Sequence, residues 1–272
     1  MRFLPAFLTD LWRHRDLLWQ FTRRNFELTL RGSHLGLIWS FLNPLLMLGL
    51  YVFVFGFIFG GHFGVVASET ATDYALGVFL GLTIFGLIAE ILAMAPMIIA
   101  SSPNFVKKVV FPLEVLPAAA VGASIGRMLI GLAFALLGII LLGPGGHPGL
   151  LWLPVILLPV IVGCLGLAWL ISSLGVFIQD IGQLMAFLAQ VVMYSSAVFY
   201  SAARISSLAP TAWTVLRFNP VLLAIELTRD AALWHQPMNF RHLGYLYVCG
   251  FVTCWLGYVL FRKLKPAFAD VL

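Results

Sequence analysis

The sequence predicts an all-α integral membrane protein with six transmembrane helices, an N-terminal amphipathic helix in the interface, and re-entrant outer helices between spans five and six. Of its 272 residues 61% are hydrophobic and 10% charged, and the mean hydropathy is +1.01. Soluble domains carry about a quarter charged residues. The stretch from Leu35 to Gly61 holds no charge and exceeds the ~20 apolar residues that a helix needs to cross a bilayer core. Within it Tyr51, Phe53, Phe55, Phe57 and Phe59 alternate at period two, which in water suggests a strand. Lipid reverses that reading. A lone strand leaves its backbone unsatisfied in hydrocarbon, and no ladder of alternating segments follows to close a barrel. Spread at about 100° per residue, the five rings form a collar of the kind found at membrane–water boundaries.

Residues 3–30 mix Phe7, Leu8, Trp12, Trp19, Phe21 and Phe26 with arginines. They predict one or two helices lying in the interface; a solvated basic tail is the alternative, and two tryptophans argue against it. Asp10, Asp16 and Glu27 interrupt this stretch, so no cleavable signal peptide is expected. The first span is expected at 35–60, kinked or loosened at Asn43–Pro44, where proline removes a backbone donor. A polar connection, 61–73, leads to the second span at 74–98. The third is expected at 117–142, the fourth at 150–176 after the turn GPGGHPG, the fifth at 181–200 and the sixth at 243–261. The domain division is therefore 1–34, a six-span region at 35–261, and a tail at 262–272.

Six arginines in the N-terminal arm, Lys107 and Lys108 in the connection 99–116, and Arg262, Lys263 and Lys265 in the tail lie on one side of this topology. On the other, 61–73 and 143–149 carry no Lys or Arg, and 201–241 carries Arg204, Arg217, Arg229 and Arg241. Both termini are thus predicted to be cytoplasmic. The net charge of +5 is read as topology, and no nucleic-acid partner is expected. Cys164, Cys249 and Cys254 lie in apolar segments without CxxC spacing and read as small core residues, with no metal site. The GxxxG spacings at Gly56–Gly60, Gly77–Gly81 and Gly122–Gly126 permit close helix approach and carry no functional weight among 25 glycines.

Four places carry chemistry. Glu90 and Arg127 each lie about ten residues from the connection 99–116, hence roughly 15 Å deep on consecutive antiparallel spans. They are expected to pair, because an unpaired charge at that depth costs at least about 2.5–3.5 kcal/mol. The pair either fixes the packing of spans two and three or stands along a transport path. In SSPNFVKKVVFPLEVLP, Pro103, Pro112 and Pro117 bound a short segment. There Phe105, Val109 and Phe111 are placed to meet a soluble protein partner, with Lys107 and Lys108 toward the cytosol. Gln183, Phe187, Gln190 and Tyr194 share one face of span five at spacings of four, three and four. Such an amide–aromatic stripe suits a flat ligand with polar edges, such as a sugar, or serves as helix–helix glue. Finally, 201–241 is too long for a turn and too apolar for an exposed loop. Asn219–Pro220 starts a helix on which Glu226, Arg229 and Asp230 share a face opposite Leu222, Leu223, Ile225 and Leu227; it is read as re-entrant or lying in the outer interface.

None of the four lysines follows a glycine, so the GxxxxGK[ST] phosphate loop is absent, as are HExxH and GxSxG. The chain is expected not to be an enzyme, and any ATP-derived energy must come from another polypeptide. RGSHLGLIWSFLNPLLMLGLYVFVFGFIFG, KKVVFPLEVLP and FNPVLLAIELTRD together resemble the membrane subunit of polysaccharide ABC exporters. This is a branch of the ABC-2 type permeases that exports O-antigen, capsule or teichoic acid across the inner membrane.

The resemblance implies a homodimer in membrane lipid, capped by two ATP-binding cassette subunits that hold ATP and Mg, with a lipid-linked polysaccharide as cargo and no cofactor in this chain. It implies that the segment Lys107–Glu114, with Phe105, Phe111 and Pro112, couples to the ATPase. It implies a gate helix at about Phe21–Arg31 (Phe21, Arg23, Arg24, Phe26, Arg31). It further implies a channel lined by Trp39, Asn43, Tyr51, Phe55 and Phe59 of span one with Gln183, Phe187, Gln190 and Tyr194 of span five. Two departures stand out: Gln179–Asp180 where Arg-Asp is frequent, and Ser195–Ser196–Ala197–Val198 where a proline is frequent. Export of a drug or another lipid, and an ATP-independent channel or carrier, are the alternative functions. A membrane glycosyltransferase is disfavoured by the lack of an acidic pair in a large cytosolic domain.

Overall fold

The computed structural model of the chain describes residues 4–31, 36–58, 60–66, 69–107 and 111–272, and among them there is no β-strand. Two helices come first, α1 (Leu4–Arg13) and α2 (Arg15–Arg31). α3 (Gly36–Tyr51) then runs directly into a π-helical stretch, Val52–Ile58. α4 (Ala71–Met94) is followed by the short helices α5 (Met97–Ala100) and α6 (Pro103–Lys107), and then by α7 (Val115–Leu142). A 3₁₀ turn, Pro148–Trp152, leads into α8 (Leu153–Gly175), and α9 is Ile181–Ser195. Three helices, α10 (Ala202–Leu208), α11 (Pro210–Leu216) and α12 (Pro220–Ala232), precede α13 (Phe240–Leu264) and the terminal α14 (Phe268–Val271).

Among the described residues four stretches are long and apolar enough to cross a membrane: Ala71–Met94, Val115–Leu142, Pro148–Gly175 and Phe240–Val271. Leu45–Ile58 and Ile181–Ser195 are apolar but shorter. The protein is therefore a multi-pass membrane protein. The fifth expected span stops early because Ala197 adopts φ 53°, a left-handed conformation that a helix cannot continue through. In the first apolar run the loosening expected at Asn43–Pro44 falls elsewhere: the α-helix continues through both residues, and the change of winding comes at Val52.

Helix starts follow side-chain chemistry. Thr70 Oγ1 accepts the Asp73 N–H at 3.2 Å while Asp73 Oδ2 accepts the Thr70 N–H at 3.0 Å, a capping box at the start of α4. Asn239 Oδ1 accepts the Arg241 and His242 N–H groups at 3.1 and 3.3 Å and starts α13. α4 is apolar on every side and is buried along most of its length, from Tyr74 to Leu92, which makes it the centre of the bundle.

α8 and α13 run against one another through glycine. A Cβ at Gly166 would strike the backbone of Thr253 and Cys254, one at Gly250 the Pro159 carbonyl, and one at Gly257 the Gly166 carbonyl. α2 packs on α7 in a similar way, with Thr22 over Gly122 and Phe26 over Gly126.

Both termini lie at one end of the bundle. Phe7 of α1 is buried against Trp169 and Tyr258, with ring centroids 6.0 and 6.1 Å apart, and the Tyr258 hydroxyl donates to Asp10. Phe268 of α14 is wholly buried beside Phe261. The opposite end is closed by α10, α11 and α12, with Leu222, Ala224, Leu227 and Ala231 packed on Ile156, Leu243 and Leu246.

Candidate functional site

Glu90 and Arg127 form an ion pair between α4 and α7, and Arg127 Nη2 also donates to Ser124 Oγ at 3.2 Å. Their side chains are 28% and 19% exposed, so the pair is shielded but not sealed. Arg127 directly follows Gly126, against which Phe26 of α2 packs, so the packing of the two spans adjoins the seat of α2.

The segment after α5 behaves differently from the expectation that its aromatic rings face outward. Phe105 and Phe111 meet each other at 4.8 Å and meet Phe21 of α2 at 5.7 and 5.4 Å. Three half-buried rings thereby cover one another, which removes more apolar area from water than a protruding knob would. Arg24 lies over the Phe21 ring at 5.0 Å, and Arg23 Nε donates to Glu27 Oε1 at 2.7 Å on the exposed side. Lys107 is exposed, and Pro112 is half-buried in the turn whose carbonyl accepts the Val115 N–H at 3.0 Å. Glu114 is turned inward. Both its carboxylate oxygens accept from Lys265 Nζ at 2.9 Å, and its carbonyl accepts from Trp169 Nε1 at 3.0 Å. Lys265 and Trp169 were not singled out from the sequence; a tail lysine gives no pattern that names its partner. Phe59 and Lys108 lie outside the described residues, as do the side chains of Arg31, Trp39 and Asn43.

Gln183, Phe187, Gln190 and Tyr194 are all exposed along α9 and form a continuous face that no other described element covers. Phe187 is 63% and Tyr194 54% exposed. At its far end this face reaches the first apolar run through a residue the sequence did not single out. Phe199 stacks on Phe55 at 4.5 Å, lies 4.6 Å from Tyr51 and approaches Tyr194 at 6.4 Å. The Tyr51 hydroxyl also points to Met193 Sδ at 3.9 Å.

In the 201–241 segment Asn219 does more than cap α12. Its Oδ1 accepts the Val221 and Leu222 N–H groups at 2.9 and 3.4 Å ahead of Pro220. Its Nδ2 donates to Ser195 O, Ser195 Oγ and Ser196 Oγ at 3.1, 3.2 and 3.1 Å, which ties the start of α12 to the end of α9. Glu226 Oε1 accepts the Ala202 N–H at 2.8 Å and so fixes the start of α10. Arg229 is 1% exposed and donates to the main-chain oxygens of Gly77, Ala197 and Val198, at 2.9, 2.7 and 2.5 Å.

Asp230, near the end of α12 and outside the candidate spans, is held differently. Burial pushes its carboxyl up to about 6; Glu226 adds to the rise and Arg229 opposes it. A folded-state value above the ordinary ~3.9 means that the ionised carboxylate weighs against the fold above pH 6. That cost is relieved as pH falls through 6 toward 4. Asp230→Asn is expected to gain on the order of 2 kcal/mol near neutral pH and to flatten the pH dependence between about 6 and 4. Thermal unfolding in detergent at several pH values measures both.

Among the described residues no group of three or more His, Cys, Asp or Glu is placed to hold a metal ion. What the arrangement offers is an amide–aromatic face along one helix, an internal ion pair, and a compact set of contacts at the terminal end that joins α1, α2, α6, α8, α13 and α14.

Comparison with known proteins agrees with this picture. The chain is 25% identical over 264 residues to an O-antigen export system permease protein RfbA of Klebsiella pneumoniae, covering 94% of this chain and 95% of that protein. It is 22% identical over 261 residues to the O-antigen export system permease protein RfbA of Myxococcus xanthus, covering 96% and 97%. The sequence pattern of the ABC-2 type transporter family matches residues 16–233, a range that takes in α2, the internal ion pair, the α9 face and α12. The chain belongs to the ABC-2 type transporter family.

Proposed function

We propose that this protein is the conduit-forming subunit of an exporter that carries a lipid-linked polysaccharide of the O-antigen type across the inner membrane. Six spans cross the bilayer, the two shorter apolar helices included, with both termini cytoplasmic and α10–α12 folded back into the outer leaflet. Two copies enclose the conduit, and two ATPase subunits, which hold ATP and Mg²⁺, dock on the cytoplasmic end. The observation that carries this reading is the uncovered face of Gln183, Phe187, Gln190 and Tyr194, in a chain similar over its length to permeases named for O-antigen export. Sugars present hydroxyl edges to amides and apolar faces to rings. A row of weak, similar contacts lets a glycan advance without falling into a deep well.

In the ATPase-facing region, docking falls to the exposed side of α6, where Lys107 and Asn104 point outward. The rings of Phe105 and Phe111 pass any displacement to α2 through Phe21.

Export by cells lacking their own permease, complemented by this chain and its ATPase, tests the reading. Amide hydrogen bonds are worth roughly 0.5–1.5 kcal/mol each, so Gln183→Leu with Gln190→Leu is expected to slow the appearance of surface glycan about tenfold at unchanged abundance. Lys107→Glu, which leaves the ring cluster intact, is expected to weaken ATPase capture in detergent. Undiminished export in the glutamine double variant removes the α9 face from the path of the glycan; no surface glycan from cells complemented with the unmodified chain and its ATPase removes the polysaccharide reading, and export of a drug or another lipid then takes its place.

A further inference from the structure

The end of α9 leaves main-chain oxygens without helical donors. Ala197 sits at φ 53°, a conformation costly to an alanine, and residues 196–201 do not continue the helix. In apolar surroundings such carbonyls need donors. Arg229 supplies them to Ala197 and Val198 and adds a third bond to Gly77 of α4. The Tyr74 hydroxyl supplies the next, to Phe199 O at 3.0 Å. The guanidinium lies 4.2 Å from the Phe63 ring. Gly81 leaves its place open, since a Cβ there would come within 2.6 Å of Nη2.

With its backbone clamped on both sides, residue 199 has one direction left for its side chain. The Phe199 ring is 3% exposed and lies between the end of α9 and the rings of Tyr51 and Phe55. Phe55 stands in the π-helical stretch Val52–Ile58. π-helical turns are frequent at functional sites.

We propose that Phe199 is the bolt that closes the outer end of the conduit, and that Arg229 is the positioning residue that holds its backbone. The proposal rests on the export reading above. For the first and fifth spans to part at the outer side, the Phe199 ring must leave Phe55 and Tyr51, or Arg229 must release Ala197 and Val198. One guanidinium therefore couples α12 to the gate. Lysine does not replace it, because a single ammonium lacks the planar fork that reaches carbonyls from two elements at once.

Two measurements decide the matter. In a background with Cys164, Cys249 and Cys254 replaced by alanine, Phe55→Cys and Phe199→Cys stand where two stacked rings meet and are bridged with a short bis-methanethiosulfonate reagent, whose disulfides a reductant cleaves. The cross-linked protein is expected to export less than about a tenth of the reduced one, with full return on reduction. Phe199→Ala loses the ring contacts with Tyr51, Phe55 and Tyr194 and is expected to raise the resting leak of a small chromogenic sugar across the inner membrane roughly tenfold at wild-type abundance. Arg229→Lys is expected to leak in the same way. Wild-type export through the cross-linked protein, or a wild-type leak in Phe199→Ala, overturns the proposal. The leak assay needs no glycan, so if the unmodified protein exports none, the export reading fails while the leak still decides the bolt.

Discussion

Arg127→Leu and Glu90→Leu are each expected to lower the stability of the inserted protein by about 3 kcal/mol, while the double variant recovers most of the loss. Each single change strands a charge inside the bundle, where removal of one partner of a shielded pair costs about 3–5 kcal/mol and an unpaired charge at mid-depth costs at least about 2.5–3.5 kcal/mol. The lower end applies because the two side chains keep 19% and 28% of their exposure. About 3 kcal/mol is more than a hundredfold in the folded-to-unfolded ratio, and it should be visible as lost abundance and an earlier thermal transition in detergent. The double variant leaves two leucines between α4 and α7, which packs acceptably in an apolar bundle. Strict additivity of the two single losses would sink the pairing.

Gly257→Val should be the most damaging of the glycine changes. The added Cβ meets the Gly166 carbonyl of the facing helix, and Gly166 itself faces the backbone of Thr253 and Cys254. These are main-chain atoms, which cannot rotate away as a flexible side chain does. The two spans must separate along much of their length. Overpacking usually costs about 1–3 kcal/mol; with α8 and α13 displaced as rigid bodies, a loss above about 3 kcal/mol is expected, read as absence of the protein from the membrane fraction. Gly244→Ala is the control within the same helix. A Cβ there has nothing within 4 Å, and alanine favours the helix by up to about 1 kcal/mol. Equal effects of the two changes would remove the role assigned to close approach.

Several features could be read before any coordinates. The uncharged run that begins at Leu35 and the overall hydropathy identify a membrane protein, and six arginines mark its N-terminal arm. The spacing of Glu90 and Arg127 from one short connection implies their contact, because two antiparallel helices of equal rise bring such residues to equal depth. Asn219–Pro220 announces a helix start on chemistry confined to four residues. The α9 stripe follows from periodicity alone. Each of these rests on local sequence or on simple arithmetic along a helix axis.

Other features depend on which helix faces which. The sequence marks the pairs Gly56–Gly60, Gly77–Gly81 and Gly122–Gly126, yet the tightest approach uses Gly166 against Gly257, two residues that share no motif. Gly122 and Gly126 turn out to seat α2, which a spacing rule cannot specify. The sequence places Arg229 with Glu226 and Asp230 on one face of an outer helix, and the structure makes it the donor to three carbonyls of other segments. Phe105 and Phe111 looked like an exposed knob and instead cover Phe21.

The sequence by itself determined the medium, the helical class, the end at which basic residues gather and the residues with chemical potential along single helices. Only the tertiary structure decided the partners: Glu114 with Lys265, Arg229 with the unwound end of α9, Phe199 with Tyr51 and Phe55. The reason is physical. Hydropathy and periodicity act within one segment and survive any arrangement of the others, whereas donors, acceptors and rings find their counterparts far along the chain, 248 positions apart for the Tyr258–Asp10 hydrogen bond, and that pairing is settled by packing alone.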